Sequence, residues 1–168
     1  ALTRRCARRL GDLLSLAGID LDLAPCLDVA SEPRNPVIGV RSFGAEPDLV
    51  TRHGRAFATG LVAAGIACCG KHYPGHGSTR QDSHLDLPTL GGAEAILRDR
   101  DEAPFLALLG VLDAVMTGHL VGEVPAGLLH QPDVPEVPLL AEVGKVVLGE
   151  LLHTGQQLRI ELPHPRVQ

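Results

Sequence analysis

Aromatic side chains are scarce in this chain: it has no tryptophan, one tyrosine and three phenylalanines among 168 residues. The expected core is therefore aliphatic. Positive charge is not in excess either, since the formal net charge is -5. That balance gives no reason to expect nucleic acid or an anionic membrane as partner. The cluster Arg4, Arg5, Arg8, Arg9 is local. With Leu2, Cys6, Leu10, Leu13 and Leu14 interleaved, it predicts the wet face of one helix. Long apolar runs are missing as well, and none approaches the length of a membrane span. Cysteine is sparse: Cys6, Cys26, Cys68 and Cys69. The last three sit inside apolar runs, and the adjacent pair cannot easily bond to itself, so buried reduced thiols are expected. No secretory leader opens the chain, which starts at Ala1 inside a helical pattern. A missing upstream segment and a cytoplasmic setting are the expectations.

Three apolar runs predict buried strands: Ile19 to Val29, Ile66 to Tyr73, and Ala114 to Leu120. Their starts recur about every 47 residues, a weak repeat. Helical periodicity covers Thr3 to Ala17, Pro47 to Ala64 and Ala93 to Leu109, and the second opens on a proline, which suits a first turn. Strand, loop and helix in succession imply an α/β fold with a parallel sheet covered by helices. The loops after the strands are long and polar: Asp28 leads to Asn35 and Arg41, Lys71 to His84, and His119 to Glu123. The opposite ends, Gly18-Ile19 and Gly65-Ile66, are short and plain. Function is therefore expected at the strand C-termini, as in a β/α barrel or an open α/β sheet. A complete barrel takes about 250 residues, so this length holds roughly half of one. The expected division is 1–125 as the partial barrel and 126–168 as a divergent, proline-rich tail. That tail is expected to be irregular, with one helix over Leu139 to Leu152.

The densest chemistry lies in Lys71-His72-Tyr73-Pro74-Gly75-His76-Gly77, followed by Asp82-Ser83-His84. Three of the eight histidines fall between His72 and His84. Histidine is the side chain most easily poised to carry a proton near neutral pH, while glycine and proline set unusual backbone paths. Asp82, two residues before His84, can orient its ring if the loop bends, though a solvated surface histidine is the plainer alternative. Lys71 and His72 end a buried strand. A lysine there needs an acceptor, which substrate hydroxyls or Asp28 can supply, or it forms a structural ion pair at the rim. Gly75-His76-Gly77 predicts a tight turn, with His76 holding the loop by hydrogen bonds. Arg41, in Ile38-Gly39-Val40-Arg41-Ser42-Phe43, has a fork suited to a carboxylate or sugar hydroxyls, or to a surface salt bridge.

Two other patterns are set aside. Gly65-x-x-x-x-Gly70-Lys71 resembles a phosphate loop, but His72 stands where a magnesium-binding hydroxyl is required, and Ile66 to Cys69 predicts a strand. Cys68, His72, His76 and His84 are all potential zinc ligands, but no second compact ligand pair accompanies them. No metal is expected.

The run KHYPGHGSTRQDSH, with Leu87-Pro88 after it, resembles the signature of glycoside hydrolase family 3, in its β-N-acetylglucosaminidase branch. The flanks agree in order: Gly18-Ile19-Asp20-Leu21-Asp22, Ala24-Pro25-x-Leu27-Asp28-Val29, Ile38-Gly39-x-Arg41-Ser42-Phe43, Pro104-Phe105, and Val115-Met116-x-x-His119. The resemblance runs from about Leu10 to Val121. It implies a (β/α)8 barrel, here partial, and retaining hydrolysis of terminal β-linked N-acetylglucosamine, with peptidoglycan-derived fragments as substrate and no cofactor. It makes His84 the general acid/base with Asp82 as its partner, and Arg41, Lys71 and His72 the sugar contacts. The family's nucleophile is an aspartate in a Ser/Thr-Asp motif on a later strand, and no such motif follows Gly122 here. Little or no hydrolase activity is therefore expected of this chain. A truncated or frame-shifted coding sequence would account for the tail. The rivals are a sugar-binding module without catalysis, using Arg41, Lys71 and His72, and a metalloprotein on Cys68, His72 and His76. A half barrel would also expose sheet edges and self-associate.

Overall fold

The computed structural model describes residues 2–80, 89–90, 96–118, 121–122 and 146–148. Helix α1 spans Leu2–Leu16 and leads to the short strand β1, Leu21–Asp22. A 3-10 turn at Gly39–Arg41 precedes helix α2, Pro47–Val62, which starts with proline inside its first turn. Strand β2, Ala67–Tyr73, follows, then the two-residue strand β3, Thr89–Leu90. A π-helical stretch, Leu97–Glu102, runs into helix α3, Ala103–Leu108. Strands β4, Ala114–Thr117, β5, Val121–Gly122, and β6, Val146–Leu148, complete the described elements.

Every strand pair among the described residues is parallel. Strands β1, β2, β4 and β6 form one sheet in that order, and β3 pairs with β5. Chain order equals spatial order in the larger sheet. Helix α2 carries the chain from β1 to β2, and α3 lies in the crossover from β2 to β4. The α/β class with a parallel sheet is thus present.

Several expectations need adjustment. The first strand is broken at Pro25, which has no N–H for a ladder. Pairing with β2 nevertheless continues, because Cys69 N–H donates to the Ala24 carbonyl, Lys71 N–H to Pro25, and Leu27 N–H back to Lys71. The third helix opens as a π-helical stretch. Pro104 cannot donate to the carbonyl four residues back, which disturbs the regular ladder there. Within the helix expected over 139–152, Val146–Leu148 is instead a strand, with Ala114 opposite Val146. Two adjacent β-branched valines favour that state. The other residues of that stretch lie outside the described ones.

The core gathers Leu27, Val29, Val50, Ala58, Leu61, Ile66, Cys68, Phe105, Leu108, Leu112 and Val115. It is aliphatic apart from Cys68 and Phe105, and Phe105 meets Tyr73 edge-on with ring centroids 5.5 Å apart. Helix α1 meets α2 through small residues. Ala7 and Gly11 are buried, while Leu2, Leu13 and Leu16 point outward along with the four arginines. No helix among the described residues is long and apolar enough to cross a membrane.

Candidate functional site

The site is organised around Asp28, a carboxylate with no solvent exposure that follows Leu27, the last residue bonded to β2 in the extension of β1. Its Oδ1 accepts the backbone N–H of His76 at 2.6 Å. Its Oδ2 lies 2.8 Å from His72 Nδ1, 3.2 Å from the His72 backbone nitrogen and 3.0 Å from the Cys26 thiol. Burial alone would raise the Asp28 pKa; the hydrogen bonds from His72, His76 and Cys26 hold it below the ordinary range. The same surroundings push the Cys26 thiol up to about 12, through burial first and the neighbouring Asp28 charge second. Cys26 therefore stays protonated and acts as a donor.

His72 is fixed at both ring nitrogens. Arg41, at the end of the 3-10 turn, brings Nη2 to 3.4 Å from His72 Nε2. A guanidinium only donates, so Nε2 accepts, and the ring proton sits on Nδ1, directed at Asp28. Arg41 is otherwise exposed, with Nη1 donating to the Val37 carbonyl at 3.3 Å. Lys71 does not take Asp28, contrary to one sequence expectation. Its charge acts instead on Asp22, whose pKa is raised by burial and only partly lowered by Lys71. The peptide bond between Lys71 and His72 is cis, and the register with β4 shifts there.

Two loops are tied together beside this group. Asn35 is buried and donates from Nδ2 to the His76 carbonyl at 2.8 Å and the Thr79 carbonyl at 2.9 Å. Its Oδ1 accepts from the backbone nitrogens of Val37 and Ile38. Glu32 accepts from Arg34 at Oε1 and from Arg80 at Oε2. Ser42 donates to the Asp28 carbonyl at 2.6 Å. His76 is buried, with Nδ1 2.8 Å from the Thr79 hydroxyl. Gly75 has φ +140°, and a Cβ on Gly77 would lie 1.9 Å from the Val29 carbonyl oxygen. Only glycine fits at 77, because the obstacle is backbone.

The loop carrying Asp82 and His84 lies outside the described residues, as does His119. The zinc trio considered from sequence is not brought together. Cys68 is buried and directs its sulfur toward the Val111 carbonyl, whereas His72 turns to Asp28. The arrangement built by Asp28, His72 and Arg41 presents a fixed imidazole edge and a guanidinium fork at the C-terminal ends of parallel strands. That combination suits hydrogen bonding to a polyhydroxylated ligand.

The sequence matches the Glycosyl hydrolase family 3 N terminal domain over residues 2–127. The chain belongs to this family. A Beta-hexosaminidase of Idiomarina loihiensis is 40% identical over 122 residues, covering 70% of this chain and 36% of that protein. One of Methylococcus capsulatus is 45% identical over 109 residues, covering 64% and 32%. Among solved structures, the glycoside hydrolase family 3 beta-N-acetylglucosaminidase from Paenibacillus sp. aligns with a TM-score of 0.77 and 37% identity, over 90% of this chain and 30% of that one. NagZ from Neisseria gonorrhoeae, in complex with N-trifluoroacetyl-D-glucosamine, aligns at 0.73 and 34%, over 91% and 46%. This family 3 chain thus spans about a third of the curated relatives it matches.

The sequence assigns no site role to Cys26, Asn35 or Glu32. Asn35 had a local signal, since it lies between Arg34 and Pro36 in a turn where asparagine commonly bonds the backbone two residues on. Cys26 had none beyond its place in an apolar run.

Proposed function

We propose that this chain is the sugar-holding and proton-transferring portion of a retaining β-N-acetylhexosaminidase, and that its parallel sheet is one side of a (β/α)8 barrel. His84, oriented by Asp82, is the general acid/base. Arg41, Lys71 and His72 hold the hydroxyls of a terminal β-linked N-acetylglucosamine on peptidoglycan-derived fragments. Gly75, His76 and Gly77 shape the loop between these two sets. The observation that carries the reading is the Asp28–His72–Arg41 chain of contacts, 2.8 Å and 3.4 Å long, at the strand C-termini. The names of the similar proteins supply the sugar class.

Retaining hydrolysis requires a proton donor on one side of the sugar and a nucleophile on the other. A histidine titrating near neutrality suits a group that donates a proton and then withdraws one. The sequence contains no Ser/Thr-Asp motif after Gly122 to supply the nucleophile. Loss of a nucleophile costs orders of magnitude in rate, so the isolated chain binds sugar with little or no turnover. The outward leucines of α1, and the edges at β1 and β6 that no described strand covers, support self-association. The direct test is incubation of the purified chain with an aryl β-N-acetylglucosaminide. Release of the aryl group at the buffer rate is expected. Sustained enzymatic release would contradict the missing nucleophile.

A further inference from the structure

Asp28 is a fully buried carboxylate, and among the described residues no lysine or arginine pairs with it. Its neighbours on Oδ2 are a thiol and an imidazole nitrogen. One ligating atom from each of Cys26, Asp28 and His72 lies within 4.8 Å of the other two. We propose that Cys26, Asp28 and His72 form a binding site for one thiophilic divalent cation of the zinc class.

The donor set selects the ion. Sulfur, nitrogen and a single carboxylate favour zinc over magnesium or calcium, which take mostly oxygen. Tetrahedral bonds of about 2.0–2.3 Å place ligand atoms about 3.3–3.8 Å apart. The Asp28 oxygen sits 3.0 Å from the Cys26 sulfur and 2.8 Å from His72 Nδ1. The site must therefore open by roughly half an ångström to admit the ion. On binding, the Cys26 S–H bond breaks, its proton leaves to solvent, and the sulfur lone pair goes to the metal. Thiolate and carboxylate together then balance the charge of the cation. The fourth position remains for water, as in zinc sites with three protein ligands.

The metal also changes the tautomer of His72. In the free chain Nδ1 carries the proton, and Nε2 accepts from Arg41. With Nδ1 on the ion, the ring proton moves to Nε2, where it faces a second donor. Arg41 is then released from the ring. Cation binding and Arg41's contact with His72 therefore oppose one another. Arg41→Ala relieves this conflict together with the repulsion between guanidinium and metal.

The test is a titration of the tag-free chain with Co2+ as a spectroscopic probe, followed by displacement with Zn2+. One Co2+ per chain with a thiolate-to-cobalt absorption band is expected, and Zn2+ abolishes the band. Cys26→Ser removes the band and weakens Zn2+ binding on the order of tenfold or more. Cys6→Ser, which alters the exposed thiol, keeps both. Arg41→Ala, an exposed position, binds Zn2+ more tightly. Absence of the band in the parent chain overturns the proposal. So does a band that survives Cys26→Ser, or a Zn2+ affinity left unchanged or lowered by Arg41→Ala.

Discussion

At the scale of single residues, Asp28 bears the greatest burden. It accepts from the Cys26 thiol, the His72 ring, and the backbone nitrogens of His72 and His76. Asp28→Ala strands those donors without solvent to replace the carboxylate. Urea unfolding is expected to show a loss of about 3–5 kcal/mol, a large share of the stability of an ordinary domain. Glu32 supplies a pH-dependent tie. The Arg34 backbone N–H first, then the Arg80 and Arg34 side chains, lower its pKa from 4.5 to about 2. A depressed carboxylate pKa contributes stability above its unfolded value, and that contribution fades as pH falls through the folded value. The stability gap between the parent chain and Glu32→Gln should therefore close between about pH 4.5 and pH 2, as read by urea unfolding at several pH values. The types of these residues were visible in the sequence, but their pairings were not. Lys71 and His72 are adjacent and equally plausible partners for Asp28. Only the backbone path at the end of β2 decides that His72 reaches it.

At the scale of elements, the joint between α1 and α2 is made by the absence of side chains. A Cβ on Gly60 would lie 2.6 Å from the Arg4 carbonyl oxygen and 2.7 Å from the Ala7 Cβ. Gly60→Ala must push the helices apart and is expected to lower stability by about 1–3 kcal/mol, read from the midpoint of denaturant unfolding. A change within a few tenths of a kcal/mol would mean that the helices shift freely. Periodicity placed helices over Thr3 to Ala17 and Pro47 to Ala64, within two residues of the observed Leu2–Leu16 and Pro47–Val62, because both carry apolar residues at helical spacing. It did not reveal that α1 buries Ala7 and Gly11 while Leu2, Leu13 and Leu16 point out and only Leu14 packs against the core. Hydrophobic pattern alone favours the leucine face, and close helix approach favours the small one. The broken first strand and the π-helical stretch follow from Pro25 and Pro104, whose missing donors act locally. The strand Val146–Leu148 sits in a stretch with helical spacing, where its two valines and the pairing with β4 outweigh that periodicity.

At the scale of the whole molecule, strands β1, β2, β4 and β6 lie side by side in chain order, all parallel. The sequence repeat already implied that succession, with the polar loops gathered at one end. Family membership rests on 126 matched positions, residues 2–127, and the candidate site falls wholly within them. The central claim is that Arg41 and His72 form a sugar-holding edge. Titration calorimetry of N-acetylglucosamine into the chain and into Arg41→Ala tests it most directly. Saturable binding to the parent chain is predicted, weakened about tenfold in Arg41→Ala by the loss of charge-assisted hydrogen bonds. No saturable heat with the parent chain, or equal affinity in the two proteins, would contradict it.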